Sequence, residues 1–162
     1  VGGAAGKTVL KCDQALQKGA LKFFKISSKV GQKCADAAAK CVQEKPNDTA
    51  CRDKASSACA KAIGKLTPAN GTFAKLFASV GKKCAGASAL DLAGATGLGF
   101  GAPSFTARCD ELDVPLGSPS DLLTCVGNEL SCQTIKIFER EIPRGRELAE
   151  LLEVTLPQRL EP

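Results

Sequence analysis

The sequence predicts an all-α protein: a long antiparallel helical hairpin stapled by nested disulfides, with a smaller helical C-terminal part. Three observations predict it. Six of the nine cysteines mirror one another about the turn Glu44-Lys45-Pro46-Asn47-Asp48, so that Cys41 faces Cys51, Cys34 faces Cys59 and Cys12 faces Cys84. Apolar or small residues recur every three or four positions along the first arm, the spacing of one helix face. A second helical pattern follows a helix-start signal near residue 119.

The first arm carries the seam Val9, Cys12, Leu16, Ala20, Phe23, Ile26 or Ser27, Val30, Cys34, Ala37 or Ala38, and Cys41. Lys18, Lys22, Lys25, Lys29, Lys33 and Lys40 fall largely off that seam. Gly19 and Gly31 each weaken a helix by roughly 1 kcal/mol relative to Ala, unless a partner helix uses the space they leave. Pro46-Asn47-Asp48 ends the arm and offers Asn47 or Asp48 as the next N-cap. The return arm runs from about Thr49 to Leu66. Thr67-Pro68-Ala69-Asn70-Gly71 breaks it, and a last helix covers Thr72 to Cys84. An internal repeat runs through the hairpin. Cys12-Asp-Gln-Ala-Leu-Gln-Lys18 matches Cys59-Ala-Lys-Ala-Ile-Gly-Lys65, and Val30-Gly-Gln-Lys-Cys34 matches Val80-Gly-Lys-Lys-Cys84, as in a duplicated helical unit.

Residues 85–118 change character. Ala93 to Pro103 is Gly-rich and poor in charge, and reads as an irregular connector packed by Phe100 and Phe105. Ser118-Pro119-Ser120-Asp121 then supplies a Ser N-cap, Pro at the first helical position and an acid at the third. The helix to Glu141 has the seam Leu122, Cys125, Leu130 or Cys132, Ile135 and Phe138. Pro143 interrupts it, and a short helix near Arg146–Glu153 and an extended tail, Val154 to Pro162, follow. The organisation expected is a Lys-rich stapled hairpin over 1–87, a Gly-rich connector over 88–118, and acidic helices with a tail over 119–162.

Helix geometry restricts the cysteines. Seven residues along a helix span ~10.5 Å, and a disulfide needs Cα atoms within ~7 Å. Cys34 therefore does not reach Cys41, nor Cys125 Cys132, and Cys51 does not reach Cys59. Cross-arm pairing, Cys12–Cys84, Cys34–Cys59 and Cys41–Cys51, is the simplest solution. The alternative pairs Cys12 with Cys34 and Cys59 with Cys84, each repeat folding back on itself. Among the remaining three, Cys109–Cys125 is the preferred bridge between connector and last helix. Cys132 is then left as a free thiol, an intermolecular or attachment point, or an inert buried thiol.

Composition places the chain in an oxidising compartment: secreted, periplasmic or cell-surface. There is no Met, and the start Val1-Gly2-Gly3 is what signal removal would leave. No apolar run approaches the ~18 residues of a membrane span. Charge is divided: residues 1–87 carry 16 basic and five acidic groups, hence +11, and residues 88–162 carry six and twelve, hence −6. The halves can attract each other within or between molecules.

The chemistry of catalysis is poorly represented. Without histidine there is no Ser-His or Cys-His pair and no imidazole base. No Cys-x-x-Cys offers a zinc-ribbon or thioredoxin-like site, and c-type haem lacks both its attachment motif and its usual axial ligands. No cofactor or metal is therefore expected. Gly97-Leu-Gly-Phe-Gly101 lacks the strand, the Lys-Ser/Thr pair and the glycine spacing of a phosphate loop. Glu139/Glu141 and Glu147/Glu150 read as solvated faces rather than a glycosidase pair, since no Trp or Tyr platform accompanies them. Nucleic acid is a poor partner for a segment with one Arg and few aromatics.

The repeat Cys-x-x-Ala-(Leu/Ile)-x-Lys with its distant Lys-Cys, together with Gly99-Phe-Gly-Ala102 and Leu122-Leu-Thr-Cys125, resembles Cys- and Lys-rich helical segments of secreted bacterial proteins of unknown function. The resemblance covers roughly residues 10–140. It implies secretion and a stapled helical body, and carries no catalytic residue across. Here the Gly-rich segment has no cysteine, and no Cys-x-x-Cys follows the last Leu-x-x-Cys.

Two non-enzymatic functions follow as expectations. One is an extracellular structural protein, a self-associating subunit of a filament, sheath or surface layer, built by head-to-tail contact of opposite charges. The alternative is a secreted accessory module that docks through the lysine face, Lys18, Lys22, Lys25, Lys29, Lys33 and Lys40, to an anionic partner protein or envelope polymer. A third reading, a carrier with an apolar cavity between hairpin and C-terminal helices, is weighed down by the scarcity of large apolar side chains.

Overall fold

The computed structural model describes residues 3–66, 71–94, 98–142 and 144–154. Among them every regular element is an α-helix. Helix α1, Gly3–Glu44, runs for 42 residues, roughly 63 Å at 1.5 Å per residue. It begins six residues before the expected seam. Its buried positions, Val9, Cys12, Leu16, Gly19, Phe23, Ser27, Ala35, Ala38 and Cys41, form one stripe, because residues three or four apart share a face.

The chain reverses after Glu44. Asp48 caps α2 (Thr49–Gly64), its carboxylate accepting the Cys51 N–H at 2.9 Å. Helix α3 (Gly71–Cys84) completes the return arm, and both α2 and α3 pack on α1. At the end of α2, Leu66 N–H donates to the Ile63 carbonyl at 2.8 Å. Residues 67–70 of the expected break lie outside the described residues. Gly71 has φ +71°, and a Cβ there would meet the Lys65 carbonyl oxygen at 2.9 Å, so both backbone conformation and space call for glycine.

Three disulfides cross the hairpin: Cys12–Cys84, Cys34–Cys59 and Cys41–Cys51, with Cα–Cα separations of 4.6, 5.2 and 5.7 Å. The fold is thus the all-α hairpin with nested staples that the cysteine symmetry predicts. The two copies of the internal repeat are bonded reciprocally, the first cysteine of each to the last of the other. Gly19 gives α1 its close approach to α3: a Cβ there would sit 2.9 Å from Val80 Cγ2.

The described residues between Ala93 and Pro103, the expected irregular stretch, are not helical, but the segment 85–118 around it also forms helices that the sequence pattern did not predict. It contains α4 (Ala89–Ala93) and α5 (Pro103–Glu111). The local reason for α4 is a reciprocal cap. Asp91 N–H donates to Ser88 Oγ at 3.0 Å, and Ser88 N–H donates to the Asp91 carboxylate at 3.1 Å. Helix α5 starts with Pro103, whose fixed φ suits the first turn. The Phe100 and Phe105 rings pack with centroids 5.1 Å apart. Residues 95–97 are outside the described set.

Helix α6 (Pro119–Glu141) begins at the predicted cap: Asp121 N–H donates to Ser118 Oγ at 3.2 Å, and Ser118 Oγ donates to the Asp121 carboxylate at 2.9 Å. It lies on α1 and α3, and α7 (Gly145–Leu151) lies on α1. The Phe138 side chain and residues 155–162, most of the expected tail, lie outside the described residues. Cys109–Cys125 ties α5 to α6. Phe23, Phe73 and Phe77 form the aromatic centre where α1, α3 and α6 meet. Phe73 lies 5.2 Å from Phe23 and 4.3 Å from Phe77 between ring centroids.

Candidate functional site

Two features of the assembled molecule bear on function: the outer face of α1, and a cavity between the hairpin and the C-terminal helices.

Lys18, Lys22, Lys25, Lys29, Lys33 and Lys40 are all exposed. Their spacings of three, four and seven residues align them as a stripe, roughly 33 Å long from first to last at 1.5 Å per residue. The ion pairs among the described residues lie elsewhere. Arg108 binds Glu111 at 2.6 Å and Glu129 at 2.8 Å, Arg144 binds Glu147 at 2.6 Å, and Arg146 binds Glu139. Each belongs wholly to residues 88–162 and each uses arginine. No ion pair among the described residues joins the basic half to the acidic half.

The Arg108–Glu129 bridge is the most sheltered of these. Burial acts to raise the Glu129 carboxyl, but hydrogen bonds from Gln133 and Arg108, with the Arg108 and Lys136 charges, outweigh it and hold Glu129 below the ordinary glutamate range. The bridge fixes the end of α5 against the middle of α6, beside Cys109–Cys125.

The cavity measures about 340 Å³. Helix α1 contributes Phe23, Val30, Gly31 and Ala35, and the Cys34–Cys59 staple forms part of the wall. Ile63 and Leu66 close it from the return arm, Ile135 from α6, and Ala149 and Leu152 from α7 and its cap. Three hydroxyls on the lining are satisfied within their own helices. Ser27 donates to the Phe23 carbonyl at 2.5 Å, Ser131 to Gly127 at 2.9 Å and Thr134 to Leu130 at 2.7 Å. They leave the lining effectively apolar. The scarcity of large side chains therefore works opposite to the sequence argument: Gly31, Ala35 and Ala149 leave volume that Leu or Phe would fill.

Cys132 is unpaired and 7% exposed, on the cavity wall. Its burial removes it from the surface where an intermolecular bond would form. The lysines and the cysteines are visible in the sequence; a cavity between hairpin and C-terminal helices is disfavoured there by the scarcity of large side chains, and its lining is not legible because it comes from five separate helices, α1, α2, α5, α6 and α7. The nearest sequence signal was the run of small residues at Gly31, Cys34 and Ala35.

Among the described residues no group of three or more His, Cys, Asp or Glu is placed to hold a metal ion. No helix among them is long and apolar enough to cross a membrane. Four disulfides are the covalent chemistry of an oxidising compartment. Comparison with known protein families, with curated proteins and with solved structures finds no match to this chain.

Proposed function

We propose that this chain is a non-enzymatic binding module that is secreted, periplasmic or held at the cell surface, and that it docks through the lysine face of α1 onto an anionic partner protein or envelope polymer. The observation that carries the reading is the partition of charge. Six exposed lysines line one long rigid helix, and no ion pair among the described residues engages them. The acidic half meanwhile pairs several of its carboxylates with its own arginines. A row of unneutralised charge attracts a polyanion over distances of a Debye length, about 8 Å at physiological salt. The stapled hairpin keeps the row straight, so little order has to be imposed on binding.

The test is retention of the native, oxidised protein on immobilised heparin as a salt series. The proposal expects retention at low salt that falls steeply as salt rises. It expects the triple variant Lys22→Glu, Lys29→Glu, Lys33→Glu to elute near the void with an unchanged circular dichroism spectrum. Equal retention of the variant would remove the lysine face from the account.

The second reading is self-association into a filament, sheath or surface layer. The opposite charges of the two halves favour it, because a −6 segment of one copy complements the +11 segment of the next. Two features weaken it relative to docking: the acidic half already spends Glu111, Glu129, Glu139 and Glu147 on its own arginines, and Cys132 is buried. Light scattering on native protein separates the two. A large mass that collapses in high salt supports assembly, and a monomer at all salt concentrations supports docking.

A further inference from the structure

The cavity has the composition of a ligand site, and its polar inventory is small enough to define the ligand. Its volume of about 340 Å³ falls at the lower end of small-molecule sites, roughly 300–1,000 Å³. The three lining hydroxyls of Ser27, Ser131 and Thr134 are spent on backbone carbonyls, so they present methylene and methyl groups. One polar lining side chain is different. The Asn128 amide, half-buried on α6, makes no hydrogen bond among the described residues. It offers two donors and an acceptor.

Among the described residues the charged lining is Glu111 and Asp113, and no lysine or arginine joins it; Glu111 is paired with Arg108 at 2.6 Å, which leaves Asp113 as the carboxylate without an ion pair among the described residues. Glu111 ends α5 and Asp113 follows it, and Cys109–Cys125 and Arg108–Glu129 fix α5 to the stretch of α6 that carries Asn128. Amide and carboxylates therefore mark one end of the cavity. The Asp113 carboxylate at that end, in the acidic half of the chain, disfavours an anionic head group.

The geometry points to a binding site for an uncharged single-chain amphiphile, an apolar chain ended by a hydroxyl or carbonyl group, with its chain against α1, α2 and α7 and its head at Asn128. The inference is independent of the lysine face, which lies on the exposed side of α1. Burial of the chain supplies the affinity, Asn128 orients the head, and Asp113 discriminates against the fatty-acid anion of the same length.

The experiment uses the oxidised full chain, which has no Trp or Tyr to interfere with an added fluorophore. The neutral probe N-phenyl-1-naphthylamine is bound first and then displaced by 1-dodecanol or by dodecanoate at neutral pH and low salt. The expected result is saturable binding of one probe per chain, with displacement by the alcohol about tenfold more effective than by the anion, the scale of one unfavourable charge contact in a partly screened site. Asp113→Asn, which keeps the left-handed backbone at φ 54° accessible, narrows that preference. Asn128→Leu weakens alcohol binding about fivefold, the worth of one hydrogen bond. Heteronuclear NMR of the wild-type chain locates the site without reliance on any variant: shifts caused by 1-dodecanol fall on Gly31, Ala35, Ser131–Ile135 and Ala149. Absence of saturable probe binding, dodecanoate binding as tightly as the alcohol, or shifts confined to the outer lysine face would each overturn the inference.

Discussion

Gly127 shows how closely single residues are fitted in this chain. On α6 it faces the Phe73 ring, and a Cβ added there would overlap Phe73 Cζ and lie 2.8 Å from Cε2. The ring belongs to the aromatic centre, held against Phe23 and Phe77. Gly127→Ala is expected to lower stability by about 1–3 kcal/mol, the usual cost of overpacking, read from the urea midpoint of oxidised protein. Gly64→Ala is the contrasting case. A Cβ at that helical position meets nothing within 4 Å among the described residues, and the change is expected to raise stability by about 0.5 kcal/mol through the unfolded chain. A pH effect also belongs at this scale. The Glu129 carboxyl is held below its ordinary value in the folded state, so the unfolded chain binds its proton first as pH falls. Its contribution is whole above the unfolded glutamate pKa of about 4.3 and is lost as pH falls through the lower folded value. Glu129→Gln should therefore flatten the acid limb of the stability profile and leave the region above pH ~6 without that slope. An unchanged acid limb would mean that the Arg108 bridge contributes nothing.

The disulfides set the stability of the elements in unequal shares. Cys12–Cys84 closes a loop with sequence separation 72, and Cys41–Cys51 one with separation 10. In the chain-entropy model these correspond to about 4 and about 3 kcal/mol. Replacing Cys12 and Cys84 by Ala should cost more than replacing Cys41 and Cys51, and it should loosen the end of the hairpin where Leu16, Val80 and Leu122 pack. Hydrogen exchange of α3 amides checks this directly. The caps matter for the same reason. Asp48→Ala removes the bond to Cys51 N–H and should cost about 1 kcal/mol, a smaller loss because Cys41–Cys51 still holds the turn. Much of this scale was legible in the residues. The turn, the Ser118-to-Asp121 cap and the spacing that pairs cysteines across two helices are all local or periodic signals. Helix α4 is the exception: Ser88-x-x-Asp91 carries the same cap as α6, but five residues before a glycine-rich stretch are too few to show a helical period.

At the scale of the whole molecule, charge and cavity occupy opposite sides of α1. The inner stripe holds the staples and the aromatic centre, while the outer stripe carries lysines. A docking face and an internal site can therefore act separately, and charge reversal at Lys22, Lys29 and Lys33 should leave probe displacement from the cavity unchanged. Overlap of the two effects would show that the charge changes have disturbed the fold rather than the surface alone.

The amino-acid sequence by itself determined the helical hairpin and its lysine stripe. Helical period and cysteine symmetry are properties of residues a few positions apart, or reflected about one turn. Only the tertiary structure decided that Cys132 is buried, that arginines of the acidic half pair with carboxylates of that same half, and that small side chains on α1 and α7 leave an apolar cavity against α6. Those outcomes depend on how α6 and α7 lie across the hairpin. That placement comes from packing of rings and glycines far apart in the chain, such as Phe73 against Gly127, which no periodicity records.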